Sequence, residues 1–150
     1  MDKKKIKELI GEIGEASIHR RFNSIRPENR YDNTKDGIIG KSRYEVKTYR
    51  LHERGQWRNR FWVDDNKTNT QWAKMDRVAA LFFVRIPIRL GEPSHAYLCL
   101  DHKTCFSTHI HDGKWVRTYP IEQCIYQYTL TSEEAKELQY LSSLISSYKG

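Results

Sequence analysis

Long apolar runs are missing from this chain of 150 residues. Nothing approaches the roughly 20 consecutive apolar residues of a membrane-spanning helix. The opening MDKKKIKELIGEIGEA is basic and then amphipathic, unlike the continuous apolar stretch of a secretory signal, so a cytoplasmic protein is expected. Cysteine is scarce and odd in number: Cys99, Cys105 and Cys124 form no CxxC pair, which excludes a disulfide framework. The four prolines stand scattered at 27, 87, 93 and 120, with no Pro/Ser-rich linker, repeat or low-complexity tract. Nothing marks a boundary, and 1–150 reads as one domain. With 38% hydrophobic and 12% aromatic residues a modest core is available, which argues against disordered and fibrous classes.

Acids are also in deficit. Lys plus Arg number 26 against 19 Asp plus Glu, a formal net charge of +7, and the pI is near 9.3. Such an excess favours a polyanionic partner, by raising both non-specific affinity and encounter rate. Much of it is local: within 41–60 stand Lys41, Arg43, Lys47, Arg50, Arg54, Arg58 and Arg60 against Glu45 and Glu53.

Periodicity supplies the elements. Ile6, Leu9, Ile10, Ile13 and Ala16 recur at three and four, predicting an amphipathic helix over about 3–24. Tyr44, Val46 and Thr48 alternate with Arg43, Glu45 and Lys47, the period of a half-buried strand. Gly55 before Arg58-Asn59-Arg60-Phe61-Trp62-Val63 predicts a hairpin over 43–63 with a basic, Trp-bearing tip. Thr68–Arg77 reads as a short helix. The apolar run Ala79–Ile86 reads as a central strand covered on both faces. Residues 95–100 add a strand, and 105–128 read as irregular with short strands. Thr131-Ser132-Glu133-Glu134 opens a last helix as a capping box, with Leu138, Leu141, Ile145 and Tyr148 on one side. That stripe serves either the core or a subunit contact. The expected fold class is α/β, a mixed central sheet flanked by helices.

The chemistry-bearing pattern is Asp36, eight residues, then Glu45-Val46-Lys47. Residues two apart on a strand share a face about 6.5 to 7 Å apart, so Glu45 and Lys47 stand side by side while Val46 turns inward. If Asp36 begins the preceding strand of a hairpin, two carboxylates and the Val46 backbone carbonyl offer the hard oxygen donors that Mg²⁺, or Mn²⁺ as its substitute, selects. Lys47 then holds or helps deprotonate a water and offsets developing charge, an arrangement suited to phosphodiester hydrolysis. Glu8, Glu12 and Glu15 share a helix face, and Glu15 or Glu12 is the candidate assisting acid. Gly11, one turn away, either lets the backbone approach the sheet or replaces a larger residue such as an acid.

Asp36, Glu45, Val46 and Lys47, preceded by the acidic helix GEIGEA and followed by TQWAKMD, resemble the PD-(D/E)xK nuclease superfamily. Within it the chain looks most like the small bacterial homing endonucleases encoded in self-splicing tRNA-gene introns. The resemblance covers roughly 8–86. It implies a restriction-endonuclease-like core, a metal-dependent, site-specific double-strand cut in DNA, and a homo-oligomer of two or four subunits, nucleoid-associated when bound to DNA. Gln71 and Lys74 stand where the family places a Gln or a basic group on the next helix. The pattern departs from the family in having Lys35 rather than Pro before Asp36, and Asp32 competes as the first carboxylate. For DNA contact the candidates are Arg43, Arg50, Arg54, Trp57, Arg58 and Arg60, with Lys67, Gln71 and Lys74 behind them; the basic tip suits phosphates and guanine edges. The alternatives are a restriction-type or junction-resolving nuclease of the same fold, or a basic nucleic-acid-binding module without catalysis. Cys99-x2-His102-x2-Cys105-x3-His109 is a rival zinc constellation whose spacing fits no standard knuckle.

Overall fold

The computed structural model describes residues 2–28, 35–64 and 70–147. The elements run α1 (Lys3–Phe22), β1 (Gly37–Ile39), β2 (Ser42–Tyr49), β3 (Arg60–Asp64), α2 (Thr70–Arg77), β4 (Ala80–Arg85), β5 (His95–Cys99), β6 (Ser107–His111), β7 (Lys114–Pro120), β8 (Cys124–Thr129) and α3 (Ser132–Ser147). Among the described residues no helix is long and apolar enough to cross a membrane.

Local chemistry sets the ends of both long helices. Asp2 lies in extended backbone before α1 and its carboxylate accepts the Lys5 N–H at 2.8 Å, satisfying a donor that every helix start leaves open. At the other end Asn23 is left-handed (φ 50°) and its N–H meets the His19 carbonyl, while His19, Arg20 and Arg21 complement the negative end of the helix dipole. At α3 the expected capping box is formed: Thr131 Oγ1 accepts the Glu134 N–H at 3.2 Å, and Glu134 Oε1 accepts the Thr131 N–H at 3.0 Å.

Five strands form a mixed sheet in the order β1-β2-β4-β5-β8, in which β2 and β4 are parallel and the other neighbours antiparallel. This is the expected α/β class with a mixed central sheet. Because side chains alternate along a strand, Tyr44 and Val46 of β2 and Phe82 and Val84 of β4 face α1 and α3, packing with Ile6, Ile10, Ile18, Leu138 and Leu141. Each large aliphatic buried there contributes roughly 1.5–3 kcal/mol. Leu81 and Phe83 point the other way, into a second core with Phe61, Val63, Met75 and Tyr119. The Phe61 and Phe83 rings stack with centroids 4.4 Å apart.

Two expectations need correction. The single hairpin over 43–63 does not exist: β2 belongs to the main sheet, whereas β3 joins a second sheet of order β3-β7-β6. The chain crosses between the sheets at 50–52, and the two strands touch through the Leu51↔Phe61 bridge and the His52 N–H to Arg60 carbonyl bond at 3.1 Å. Helices flank the main sheet on both faces, as expected, and on the second face α2 is joined by this smaller sheet. Residues 105–128 are not irregular: β6 and β7 make a hairpin whose turn residues, Asp112 (φ 50°) and Gly113 (φ 76°), suit a two-residue connection. Of the two uses left open for the α3 stripe, the core is the one seen: Leu138 and Leu141 pack against α1, with Ile145 beside them; Tyr148 lies outside the described residues.

Close approach of α1 to the sheet occurs at Gly14 rather than Gly11. A Cβ on Gly14 would lie 2.0 Å from Thr48 Oγ1, while one on Gly11 would meet only Glu15 Oε2, at 3.7 Å. Gly14→Ala is therefore expected to destabilise by about 1–3 kcal/mol, the range for overpacking, with partial recovery in Gly14→Ala/Thr48→Ala. Gly11→Ala is expected to stabilise by up to about 1 kcal/mol through helix propensity. Urea denaturation of the four proteins checks both, and equal costs at the two glycines would contradict the packing described.

Candidate active site

The β1–β2 hairpin builds the site. Gly40 (φ 62°) turns the chain between Ile39 and Ser42, and the antiparallel register pairs Gly37 with Tyr44. Asp36 immediately precedes β1, and its N–H bonds the Tyr44 carbonyl at 2.8 Å. β1 ends its pairing there, so the next inward-facing N–H of β2, that of Val46, is bonded by the Asp36 carboxylate instead: Oδ2 accepts it at 2.7 Å. Residues of a strand present N–H and C=O to the same edge, so the Val46 carbonyl leaves β2 on the side where Asp36 sits.

Glu45 and Lys47 stand on the face of β2 opposite Val46, as expected. That face is covered rather than open. Glu45 is 1% exposed and Asp36 8%, and buried charge must be paired. Lys47 Nζ is 3.1 Å from Glu45 Oε2 and donates to Gln71 Oε1 at 3.3 Å. Lys74, one helical turn beyond Gln71 on α2, places Nζ 3.1 Å from Asp36 Oδ1 and 3.2 Å from Glu45 Oε1. Glu45 Oε1 accepts no aligned hydrogen bond even so. Gln71 is itself held by the Asp64 carbonyl at the end of β3. Two acids from the hairpin and two amines, one from β2 and one from α2, thus converge.

Burial, the neighbouring Asp36 and its hydrogen bond push Glu45 up to about 8 against the pull of the two ammonium groups. Burial pushes Asp36 the same way, but the bond from Glu45, the Lys74 charge and the Val46 N–H outweigh it and bring Asp36 below the ordinary carboxylate value. Both lysines are raised: burial alone would lower them, and the adjacent carboxylates overcome it. The acids behave as a pair sharing one proton.

The acids of α1 approach from the other side. Glu12 and Glu15 line a cleft of about 410 Å³ together with Arg26, Glu28 and Asp36. Glu15 is 3.8 Å from Arg26 Nη2, an ion pair the sequence did not suggest. Glu8 does not line the cleft. Gly11 lies one turn from Glu15, and an acid at that position would set a second carboxylate against it. Asp32, the rival first carboxylate, lies outside the described residues.

The residues assigned to DNA contact divide. Arg54 and Arg58 are exposed on the 52–59 loop, as is Arg43 on β2. Arg50 is tied to α3 through Ser142 Oγ at 2.9 Å. Arg60 donates to Thr118 Oγ1 at 2.8 Å and lies over Trp57, whose ring stacks on His109 at 4.5 Å. Gln71 and Lys74 belong to the acid cluster, and Lys67 lies outside the described residues. Sequence reasoning missed that Lys74 reaches both acids; its spacing of three from Gln71 was the available signal, since both then share a helix face.

The zinc constellation comes apart. Cys99 and Cys105 are neighbours, with sulfurs 3.7 Å apart, but His102 Nε2 bonds the Val78 carbonyl at 3.0 Å and His109 sits against Trp57 on the far face of the small sheet. Among the described residues no group of three or more His, Cys, Asp or Glu side chains is arranged to hold an ion; the acid site contributes a pair. No family model, no curated protein and no solved structure matches this chain.

One pH dependence follows. Folded Glu45 keeps its proton up to about 8, whereas in the unfolded chain it ionises near its ordinary 4.5. Across that window the folded state binds more protons, so its stability falls as pH rises. Asp36, held low, acts oppositely, but only below this window. His52, His95, His102 and His109, all held low by burial, make stability rise with pH over part of the same interval. Without divalent ions, the unfolding free energy measured by urea should therefore rise less, or fall more, with pH in the wild type than in Glu45→Gln. Parallel slopes in the two proteins would refute the assignment.

Proposed function

We propose that this chain is a divalent-metal-dependent endonuclease acting on double-stranded DNA, with Mg²⁺ as the natural ion and Mn²⁺ as a substitute. The reading rests on the convergence of Asp36, Glu45 and Lys47, placed 36, 45 and 47 in the chain, at one buried edge of the sheet. The donor set suits such an ion. Asp36 Oδ1 and Glu45 Oε1 are the carboxylate oxygens not taken by Val46 or Lys47, and Glu45 Oε1 is buried without an aligned hydrogen-bond donor. Mg²⁺ is typically bound by one or two carboxylates together with water and substrate phosphate, so a pair plus the Val46 carbonyl suffices. The ion, when bound, polarises a phosphate oxygen and acidifies a water.

The protein's own residues do the remainder. Asp36 fixes the ligand geometry, because its second oxygen is anchored on a backbone N–H. Lys47, held between Glu45 and Gln71, positions the attacking water and offsets charge on the pentacovalent phosphorus. Glu12 and Glu15 line the approach and assist from α1. Arg43, Arg54 and Arg58 meet phosphates. A single site cuts one strand, so a double-strand cut at fixed positions calls for a homo-oligomer of at least two subunits related by symmetry. Intron homing at a long target is the preferred biology, and the resemblance to PD-(D/E)xK enzymes supports it.

Cleavage of supercoiled plasmid and of the intronless tRNA gene with Mg²⁺, Mn²⁺ or EDTA tests the reading. Cutting should require the ion and fall about 10²–10³-fold or more in Lys47→Ala and Glu45→Gln, the scale of losing one transition-state stabiliser. Retention of DNA binding in both variants, with loss of cutting, separates a nuclease from a pure binder; undiminished cutting by Lys47→Ala would defeat the assignment.

A further inference from the structure

The two carboxylate oxygens best suited to hold a divalent ion are the two that Lys74 touches. Asp36 Oδ2 is engaged by the Val46 N–H and Glu45 Oε2 by Lys47, which leaves Asp36 Oδ1 and Glu45 Oε1, and Lys74 Nζ lies 3.1 and 3.2 Å from these. An ion drawn to both oxygens must therefore displace this ammonium or share their charge with it. The two lysines already match or exceed the charge the two acids can carry, so an added double positive charge meets repulsion for as long as Lys74 stays. Lys47 is held on two sides, by Glu45 and Gln71, whereas among the described residues the side-chain partners of the Lys74 ammonium are the two acids. Its side chain is 18% exposed, and the preceding turn of the same helix already faces the site through Gln71. The Lys74 ammonium is carried on a four-carbon stem, which lets it move while the helix stays in place.

We propose that Lys74 is an internal cation competing with the divalent ion for Asp36 and Glu45, and that an incoming phosphate, by drawing the Lys74 ammonium to itself, couples ion loading to substrate binding. The inference rests on the nuclease reading above. Without nucleic acid the acids are neutralised by Lys74 and ion affinity is low. With a phosphodiester bound, Lys74 exchanges carboxylate for phosphate and the same two oxygens turn to the ion. By linkage, the ion raises DNA affinity by the factor by which DNA raises ion affinity. Lys74 is in these terms a positioning residue, acting through the two acids.

Ca²⁺ and Mn²⁺ binding to the full chain, measured by calorimetry without DNA, tests this. Lys74→Met keeps the apolar stem and removes the charge; Lys74→Gln adds a neutral donor and guards against a folding defect in the first variant. Both should bind Ca²⁺ about tenfold or more tightly than wild type, within the usual range of coupling, and a short duplex should raise affinity in the wild type more than in either variant. In unsubstituted protein, amine acetylation read by peptide mass should find Lys74 protected alone and labelled faster once Ca²⁺ is saturating. Equal affinities in wild type and variants, or Lys74 still protected at saturation, would overturn the competition while leaving the metal centre standing. Absence of ion binding in all three proteins, with and without duplex, would overturn the metal centre itself and this inference with it.

Discussion

A carboxylate buried in the middle of a protein has to be neutralised where it stands, and Glu45 imposes that condition on everything around it. Its strand is sandwiched: α1 and α3 cover one face, α2 and the small sheet the other. At 1% exposure the acid has little solvent to stabilise its charge, so a proton or a neighbouring ammonium has to do so. Proton and ammonium compete for the same oxygens. The raised proton affinity of Glu45 and the two flanking ammonium groups are two expressions of one desolvation cost.

The sheet topology is what brings the competitors together. Parallel strands cannot be joined by a tight turn, so the chain must leave the sheet between β2 and β4 and return. That excursion builds β3 and α2. It places Gln71 and Lys74 over β2, with Asp64 at the end of β3 steadying Gln71. The aromatic packing of Phe61 on Phe83 holds the small sheet against the main one and closes the face from solvent. Stability and chemistry are therefore linked: loosening the second core would rehydrate Glu45 and remove the reason for its unusual protonation.

The acid-rich face of α1 meets the site along the sheet edge rather than over its face. Gly14 and the helix's aliphatic residues draw α1 onto the opposite side of β2, and its carboxylates reach the cleft beside Asp36. Glu15 then answers to Arg26 as well as to the site. The carboxylates of α1 give the cleft mouth a negative field, which Arg26 moderates.

Local pattern was enough for α1, β2, β4, α2 and α3, because a period of two or of 3.6 and a capping box are written in neighbouring residues. It was enough also for Glu45 beside Lys47, which the pleat alone requires, and for Asp36 opposite β2, which needs a tight turn at Gly40. Long-range pairing was not legible. Whether Phe61-Trp62-Val63 continues the hairpin or joins Tyr119 depends on a partner some sixty residues away, and alternation says nothing about which edge a strand will meet; the β6–β7 hairpin is local, and Asp112-Gly113 at its turn was the signal left unread. For the same reason the sequence determined a pair of acids and an adjacent lysine on one strand. That they are buried, share a proton and receive a second ammonium from α2 was decided only by tertiary packing, since burial and charge pairing are properties of surfaces brought together and not of spacing along the chain.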